Sequence, residues 1–261
     1  MSGTDITYIG LAVSVISLII PVFILFRYKT GLIKPMLISF ARMILQLFIV
    51  GIYLKYIFEL DSALLNFLWV FVMIVAAGFS VAKRSNLRYK HFLVPIIVSI
   101  LVNTSVNMAI YALFILNPAD MSSARYLIPI MGMVIGNTLS SSIVGIRNYI
   151  QNITKNSDIY NFYLMAGAST EEAEEPFITD AMREAFNPYI ASTAVIGLIW
   201  LPGMMTGQIL GGSEPLHAIK YQISILITIF VGSVITVFTA IKLLRKLIFD
   251  DFGNIKKELI N

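Results

Sequence analysis

Seven times along this chain an apolar stretch of bilayer-crossing length recurs, near 8–26, 36–58, 64–82, 92–116, 126–146, 189–211 and 221–241. A spanning helix needs about 20 mostly apolar residues, because in hydrocarbon only a helix or a closed barrel satisfies its own backbone polar groups. Seven such helices would use about 140 residues, and an apolar share of 57% in 261 residues meets that demand. Charged residues make up 13% of the chain, about half the share a soluble domain carries. A soluble fold could not hide so much apolar surface. Composition therefore excludes a soluble enzyme, a nucleic-acid binder and a disordered chain. What remains is an all-α polytopic membrane protein, with residues 1–261 forming a single transmembrane domain. The net charge of +4 is no nucleic-acid signal, since the basic residues flank apolar spans. Cys is absent, which removes disulfides and thiolate metal sites.

Orientation follows from Lys and Arg counted loop by loop. The leader Met1–Thr7 carries Asp5, no basic residue and no small-residue cleavage pattern, so the first stretch reads as a span and not a cleaved signal. Arg27, Lys29 and Lys34 follow span 1, and Lys83, Arg84, Arg88 and Lys90 follow span 3. Arg147, Lys155 and Arg183 follow span 5, and Lys242, Arg245, Lys246, Lys256 and Lys257 occupy the tail. The opposite loops hold only Lys55, Arg125 and Lys220. Fifteen basic residues thus fall on one side and three on the other, with Arg42 inside span 2. The expectation is seven transmembrane helices, the N-terminus outside and the C-terminus cytoplasmic. The run from Lys83 to His91 reads as a headgroup anchor, or as a face toward an acidic partner.

One loop is long, the cytoplasmic segment 147–188. A helix arriving from span 5 is expected to stop at Gly167, a suitable left-handed cap. Ser169-Thr170-Glu171-Glu172 then forms a capping box, with both Glu residues favourable at the positive end of a new helix. Ala173, Phe177, Ala181 and Phe186 recur on one face, while Glu174, Glu175, Asp180 and Glu184 are assigned to other, solvated faces. Pro176 leaves open a later helix start, with the proline in the first turn. Such a helical hairpin is either an inert solvated loop or a docking element for a soluble partner.

The Gly167-Ala168-Ser169 turn and the short helix after it resemble the coupling segment of ABC-transporter permeases, although Asn161 and Phe162 depart from the Glu-Ala pair many of them carry. A closer resemblance is to the FetB/YbbM-type ABC permeases linked to iron export, whose relatives include plant aluminium-tolerance permeases. It rests on Ala41-Arg42, Gln46-Leu47 and Gly51, then on Leu54-Lys55-Tyr56-Ile57-Phe58 and Ala82-Lys83-Arg84-Ser85. It continues through Ile128–Met133, Gly136-Asn137, Gly167-Ala168, Leu201–Gly207 and Ala218–Gln222, and so spans nearly the whole chain. The resemblance implies an ATP-driven permease in the bacterial inner or cytoplasmic membrane that exports iron or a similar metal. It implies that a cytoplasmic ABC ATPase docks on Gly167, Ala168, Ser169, Thr170, Glu171, Glu172 and Ala173. It further implies a pair of permeases, associating through glycine-lined faces of spans 5 and 6 among others. ATP and Mg would bind the partner, since the chain has no Gly-rich phosphate loop ending in Gly-Lys-Ser/Thr. No cofactor, catalytic residue or nucleic acid is implied for the chain itself. Rival readings keep the ABC mechanism with another cargo, such as a sugar nucleotide or metal complex, or make the chain a non-transporting membrane scaffold.

No Asp or Glu lies within a span. Ion-coupled carriers usually keep a carboxylate there to bind the coupling cation, so this class is disfavoured. Arg42 is the clear intramembrane charge, with Gln46 one turn on along the same face. It either snorkels to the cytoplasmic headgroups or lines a pathway, and its place in the resemblance favours the pathway. Met131, Met133 and Asn137 in span 5 are further pathway candidates, beside the small-residue pair Gly132 and Gly136. Leu201-Pro202-Gly203 should break span 6 and make a gate or kink, with Met204, Met205 and Gln208 next to it. Thioether sulfur suits Cu(I) better than iron, and Met in an apolar span usually serves as filler. Glu214 and His217, three apart in an outer loop, are the remaining metal candidates, although Glu214 also stands where it could cap the helix that Pro215 starts.

Overall fold

The apolar stretches fold as helices, and turn residues decide where each one ends. The structure, a computed structural model, describes residues 7–85, 89–250 and 253–256. The leader's Asp5, Arg88 and Lys257 lie outside the described residues. In chain order the helices are α1 (Tyr8–Ile16), α2 (Ile19–Arg27), α3 (Ile33–Leu60), α4 (Ala63–Arg84), α5 (Tyr89–Ile110), α6 (Pro118–Ser122), α7 (Ala124–Lys155), α8 (Ser157–Met165), α9 (Thr170–Thr193), α10 (Gly203–Leu210) and α11 (Pro215–Ile248). A wider π-helical turn, Tyr111–Ile115, extends α5. The bend between α1 and α2 has a local cause: Pro21 has no N–H for the Ser17 carbonyl, which accepts from Ile20 instead at 3.1 Å.

Six segments are long and apolar enough to cross a bilayer: Tyr8–Arg27, Ile33–Leu60, Ala63–Arg84, Phe92–Ile115, Ala124–Lys155 and Pro215–Ile248. The seventh expected span, 189–211, is not a continuous helix. Its first residues are the end of α9, its last residues are α10, and 194–202 between them is irregular. There Gly197 takes a left-handed φ of +85°, and its N–H donates to the Trp200 carbonyl at 3.0 Å. Pro202, with no N–H to give, stands as the N-cap of α10. The expected break is present, and it begins upstream of Leu201-Pro202-Gly203.

Helix α7 forms the axis of the bundle, with α4, α9 and α11 packed along it and α5 wedged against α4 and α11. Its buried face carries Leu127, Ile130, Met131, Val134, Ile146, Tyr149 and Ile153. Between α5 and α11 runs a polar seam, with Ser99, Asn103, Thr104 and Asn107 facing Ser233 and Thr236, all buried. Gly232 permits this contact, since a Cβ there would run into the Asn103 amide oxygen and sit 2.8 Å from Asn107 Nδ2. Helices α1, α2 and α3 bury no residue and lie at the edge of the bundle.

The loop after α3 is tied to the start of α7. Asp61 accepts from the Ala124 N–H at 2.7 Å and from the Ser123 hydroxyl at 3.1 Å. The Ala124 N–H is the main cause holding this carboxyl below its ordinary pKa, and it caps α7 from a distance. At the other end of the bundle the chain beyond α11 folds back, with Phe249 paired to Ile255 and the Lys256 N–H donating to the Ile248 carbonyl at 2.8 Å.

Candidate functional site

The corner between α8 and α9 is built by its own sequence. Helix α7 does not run on to Gly167: it stops at Lys155, and α8 starts afresh at Ser157. Gly167 then closes α8 with φ +93°. The Gly167 N–H donates to the Leu164 carbonyl and the Ala168 N–H to the Tyr163 carbonyl, both at 3.0 Å, which is the paired pattern of a Schellman cap. Two residues later the capping box is complete: the Ser169 N–H donates to Glu172 Oε2 at 2.7 Å, and the Glu172 N–H donates to Ser169 Oγ at 3.2 Å. The Ser169 backbone N–H chiefly, with its hydroxyl, holds the Glu172 carboxyl below its usual range. Helix α9 begins at Thr170, so Pro176 lies inside it and is not in its first turn. The helix runs 24 residues without interruption, about 36 Å. The element expected to be a short helix is thus one end of a rod that ends at the irregular residues 194–202.

Ala173, Phe177, Ala181 and Phe186 are buried as their spacing required. Glu174 is not solvated: its side chain is 0% exposed. Arg245 Nε, from α11, lies 2.9 Å from Glu174 Oε1, and the Tyr149 hydroxyl, from α7, donates to Oε2 at 3.2 Å. The same guanidinium donates to Glu171 Oε1 at 2.8 Å and to Thr170 Oγ1 at 2.9 Å. Burial pushes the Glu174 carboxyl above its ordinary pKa, and Arg245 opposes that shift. Exposed Glu171 shifts the other way, held down by the hydrogen bond from Arg245. Beside this group Tyr160 donates to the Gly253 carbonyl at 3.0 Å, so the folded-back tail clasps α8. A cleft of about 810 Å³ opens beside the group, with Lys242, Lys246 and Phe249 in its wall.

Helix α8 adds a surface that spacing alone did not single out. Phe162 is 63% and Met165 80% exposed, with Ile159 beside them on the same helix. Together with exposed Gly167, Ser169, Glu171 and Glu172 they make a mixed apolar and acidic knob at the end of the bundle that holds the tail. The apolar positions 159, 162 and 165 recur every three residues, a spacing visible in the sequence itself.

The pathway candidates divide. Arg42 and Gln46 are both exposed on α3, and neither has a hydrogen bond or ion pair within the chain among the described residues. Met131 is sealed in the core and Met133 packs half-buried against it, while Asn137 is exposed, its amide donating back to the Met133 carbonyl at 2.8 Å. Met205 is buried and Met204 partly so. Gln208 of α10 carries a buried, unpaired Oε1. No atoms stand near where a Cβ would project from Gly136, Gly203 or Gly207, so those faces are open. Glu214 is the N-cap residue of α11, but its side chain makes no capping bond, and it and His217 are exposed. Among the described residues no three His, Cys, Asp or Glu side chains gather as a metal site.

Comparison with known proteins returns one family model, described as "Uncharacterised protein family (UPF0014)", which matches residues 8–249. The chain is 34% identical over 225 residues, 86% of its length and 85% of the relative, to the "Probable iron export permease protein FetB" of Escherichia coli (strain K12). It is 30% identical over 229 residues, covering 88% of the chain and 90% of the relative, to the "UPF0014 membrane protein YjkA" of Bacillus subtilis (strain 168). It is 34% identical over 203 residues, 77% of the chain and 69% of the relative, to the "UPF0014 membrane protein STAR2" of Oryza sativa subsp. japonica. No solved structure matches the chain.

Proposed function

The chain belongs to the UPF0014 family and is a multi-pass membrane permease, and from that premise we propose that it is the membrane subunit of an ATP-driven ABC transporter exporting iron. One observation supports this reading above the others. The exposed knob formed by the Schellman turn and capping box stands at the start of α9, and the other end of α9 enters the broken element 194–210. A soluble ATPase that grips the knob and closes on ATP would move a rigid rod whose far end sits where a pathway could open. The relative named as an iron export permease supports iron as the cargo.

In this reading the broken element makes the seventh crossing, and the N-terminus lies outside. Two permeases pair in the membrane, bringing the open faces at Gly136, Gly203 and Gly207 within reach of a second copy. Catalysis of ATP hydrolysis belongs to the partner. A reporter fused after Asn261 should be active in the cytoplasm and one at Met1 outside. Both ends reporting one side would remove the odd number of crossings.

Arg42 lies about 14 Å along α3 from its cytoplasmic end, within the hydrocarbon and without a partner among the described residues of its own chain. Arg42→Leu removes a charge that disfavours burial by about 2.5–3.5 kcal/mol, so insertion should survive while transport falls at least tenfold. The test reconstitutes the permease with its ATPase and measures iron-stimulated ATP hydrolysis and iron efflux. Wild-type efflux in a well-inserted Arg42→Leu protein would show that the residue only snorkels. A fixed positive charge, with no Asp or Glu inside the apolar stretches and Glu59 only in the last turn of α3, favours a second reading of the cargo: a metal complex carrying its own anionic ligands. Iron citrate against ferrous ion alone, in the same assay, separates the two.

A further inference from the structure

The first turns of α9 are held at three successive points by one side chain from another helix. Arg245, near the cytoplasmic end of α11, reaches Thr170 Oγ1 at 2.9 Å, Glu171 Oε1 at 2.8 Å and Glu174 Oε1 at 2.9 Å. Of these contacts only the one to Glu174 is sealed from water, the Glu174 side chain being 0% and that of Glu171 79% exposed. The Tyr149 hydroxyl closes the other oxygen of Glu174 from α7. Three helices therefore meet on one buried carboxylate, one turn in from the exposed tip.

The geometry points to a mechanical role for this group: Glu174 and Arg245 are positioning residues that lock the tip of α9 to α11, so that a push on the tip moves both helices together. This rests on the reading that an ATPase pushes at residues 167–173. The rest of α9 shows why such a latch would matter. Farther along the rod, Gly145 of α7 lies so near α9 and α11 that a Cβ on it would stand 3.3 Å from the Ala185 Cβ and 2.8 Å from Val237. That contact is pure packing between small or branched groups, and it can slide as shear between packed helices does. The buried ion pair cannot slide without leaving a charge unpaired. The two contacts stand eleven residues apart on α9, about 16 Å, so the latch fixes the tip while the packing contact farther along is left to slide. Arg245 suits this task because its planar fork can hold several acceptors at once, which a lysine ammonium on a flexible stem does not do as rigidly.

The test uses Glu174→Gln, which keeps the shape and an acceptor for Tyr149 but removes the charge, and Arg245→Lys, which keeps the charge and loses the fork. The permease alone is examined first, by amide hydrogen exchange in detergent. In Glu174→Gln, exchange within 170–178 and within 242–249 should rise together by at least tenfold, with α4 and α5 unchanged. The complex with the ATPase is examined next. Both variants should co-purify the ATPase at wild-type yield and hydrolyse ATP within about twofold of wild type, while cargo moved per ATP falls at least tenfold. Arg245→Lys should fall between wild type and Glu174→Gln. Unchanged exchange in the two segments, or unchanged cargo per ATP in inserted Glu174→Gln, would overturn the latch. If Glu174→Gln does not insert, the same two readings on Tyr149→Phe, which deletes only one hydroxyl, decide the matter with a smaller expected change. Failure of the wild-type permease to bind any ATPase would sink the reading of the proposed function, and the exchange result on the permease alone would still decide whether the latch exists.

Discussion

Arg245→Met should lower the stability of the isolated permease by about 3 kcal/mol, the lower end of what losing one partner of a buried ion pair costs. The lower end applies because the Arg245 side chain is itself 26% exposed while Glu174 is fully enclosed. Met replaces the length of the arginine stem, so packing changes little and the loss reports the stranded carboxylate. The deficit should depend on pH. With its cation gone, Glu174 is driven still further above its ordinary pKa, in the direction burial already pushes it. A carboxyl whose folded pKa is raised favours the fold below its unfolded pKa, and that contribution is lost as pH rises through the folded value. The unfolded value is common to both chains, so the gap between Arg245→Met and wild type should be smallest in acid and widen toward neutrality, as the pH rises past the raised folded values. Glu171→Gln, at the exposed partner of the same arginine, should unfold close to wild type. Denaturation in mixed detergent micelles across pH checks all three. Equal deficits for Arg245→Met and Glu171→Gln would mean that Glu174 is not the buried member of the pair.

The contrast between those two carboxylates also shows where the sequence is legible. Glu172 and Ser169 act within one turn, so spacing alone specifies the capping box, and Gly167 beside them marks the left-handed cap. Glu174 is legible only when acids and apolar residues are placed on the same helical wheel. Positions 174, 177, 181 and 185 fall on one stripe, which puts a carboxylate among Phe177, Ala181 and Ala185, all buried. Assigning every acid to a solvated face hides that signal. The partner has no such local mark, because Arg245 lies 71 positions downstream among the basic residues near the end of the chain. Nothing local distinguishes a lysine that meets headgroups from an arginine that meets a buried acid. The apolar stretches map onto the spans almost directly, except at 189–211. There hydropathy reports only that the segment is apolar, while Gly197 and Pro202 decide that it is not one helix. Met131 shows the opposite limit: thioether chemistry makes it a pathway candidate, yet its place on the inward stripe of α7 puts it in the core.

On the proposed reading, Gly167→Val should leave an inserted permease that no longer holds the ATPase. The turn is closed by the Gly167 and Ala168 N–H groups, and it requires a φ of +93° at Gly167. No other residue crowds that position, since nothing lies within 4 Å of where a Cβ would project. The penalty is therefore one of backbone conformation and not of collision. It amounts to about 1–2 kcal/mol for an ordinary side chain in the left-handed region, and more for a β-branched one, for which such a φ is a true outlier. A penalty of that size leaves about five to thirty times fewer molecules with the native turn. The loss stays local, because the latch at Glu174 and the clasp of Tyr160 on the tail lie outside the turn and keep α8 and α9 attached to the bundle. Insertion, and the exchange protection of α7 and α11, should match wild type. What changes is the angle at which Phe162 and Met165 on α8 are presented relative to Ser169 and Glu171, and a rigid partner must find both together. For valine, co-purified ATPase should fall by the upper end of that range or more, about thirtyfold, and cargo-stimulated ATP hydrolysis with it. Gly167→Ala should fall between the two, and Glu175→Gln, exposed on the outward face of α9, should bind as wild type does. If Gly167→Val retains its ATPase and couples normally, the partner does not read this corner. Phe162→Ser, which leaves the turn intact, then tests whether α8 alone is the docking surface.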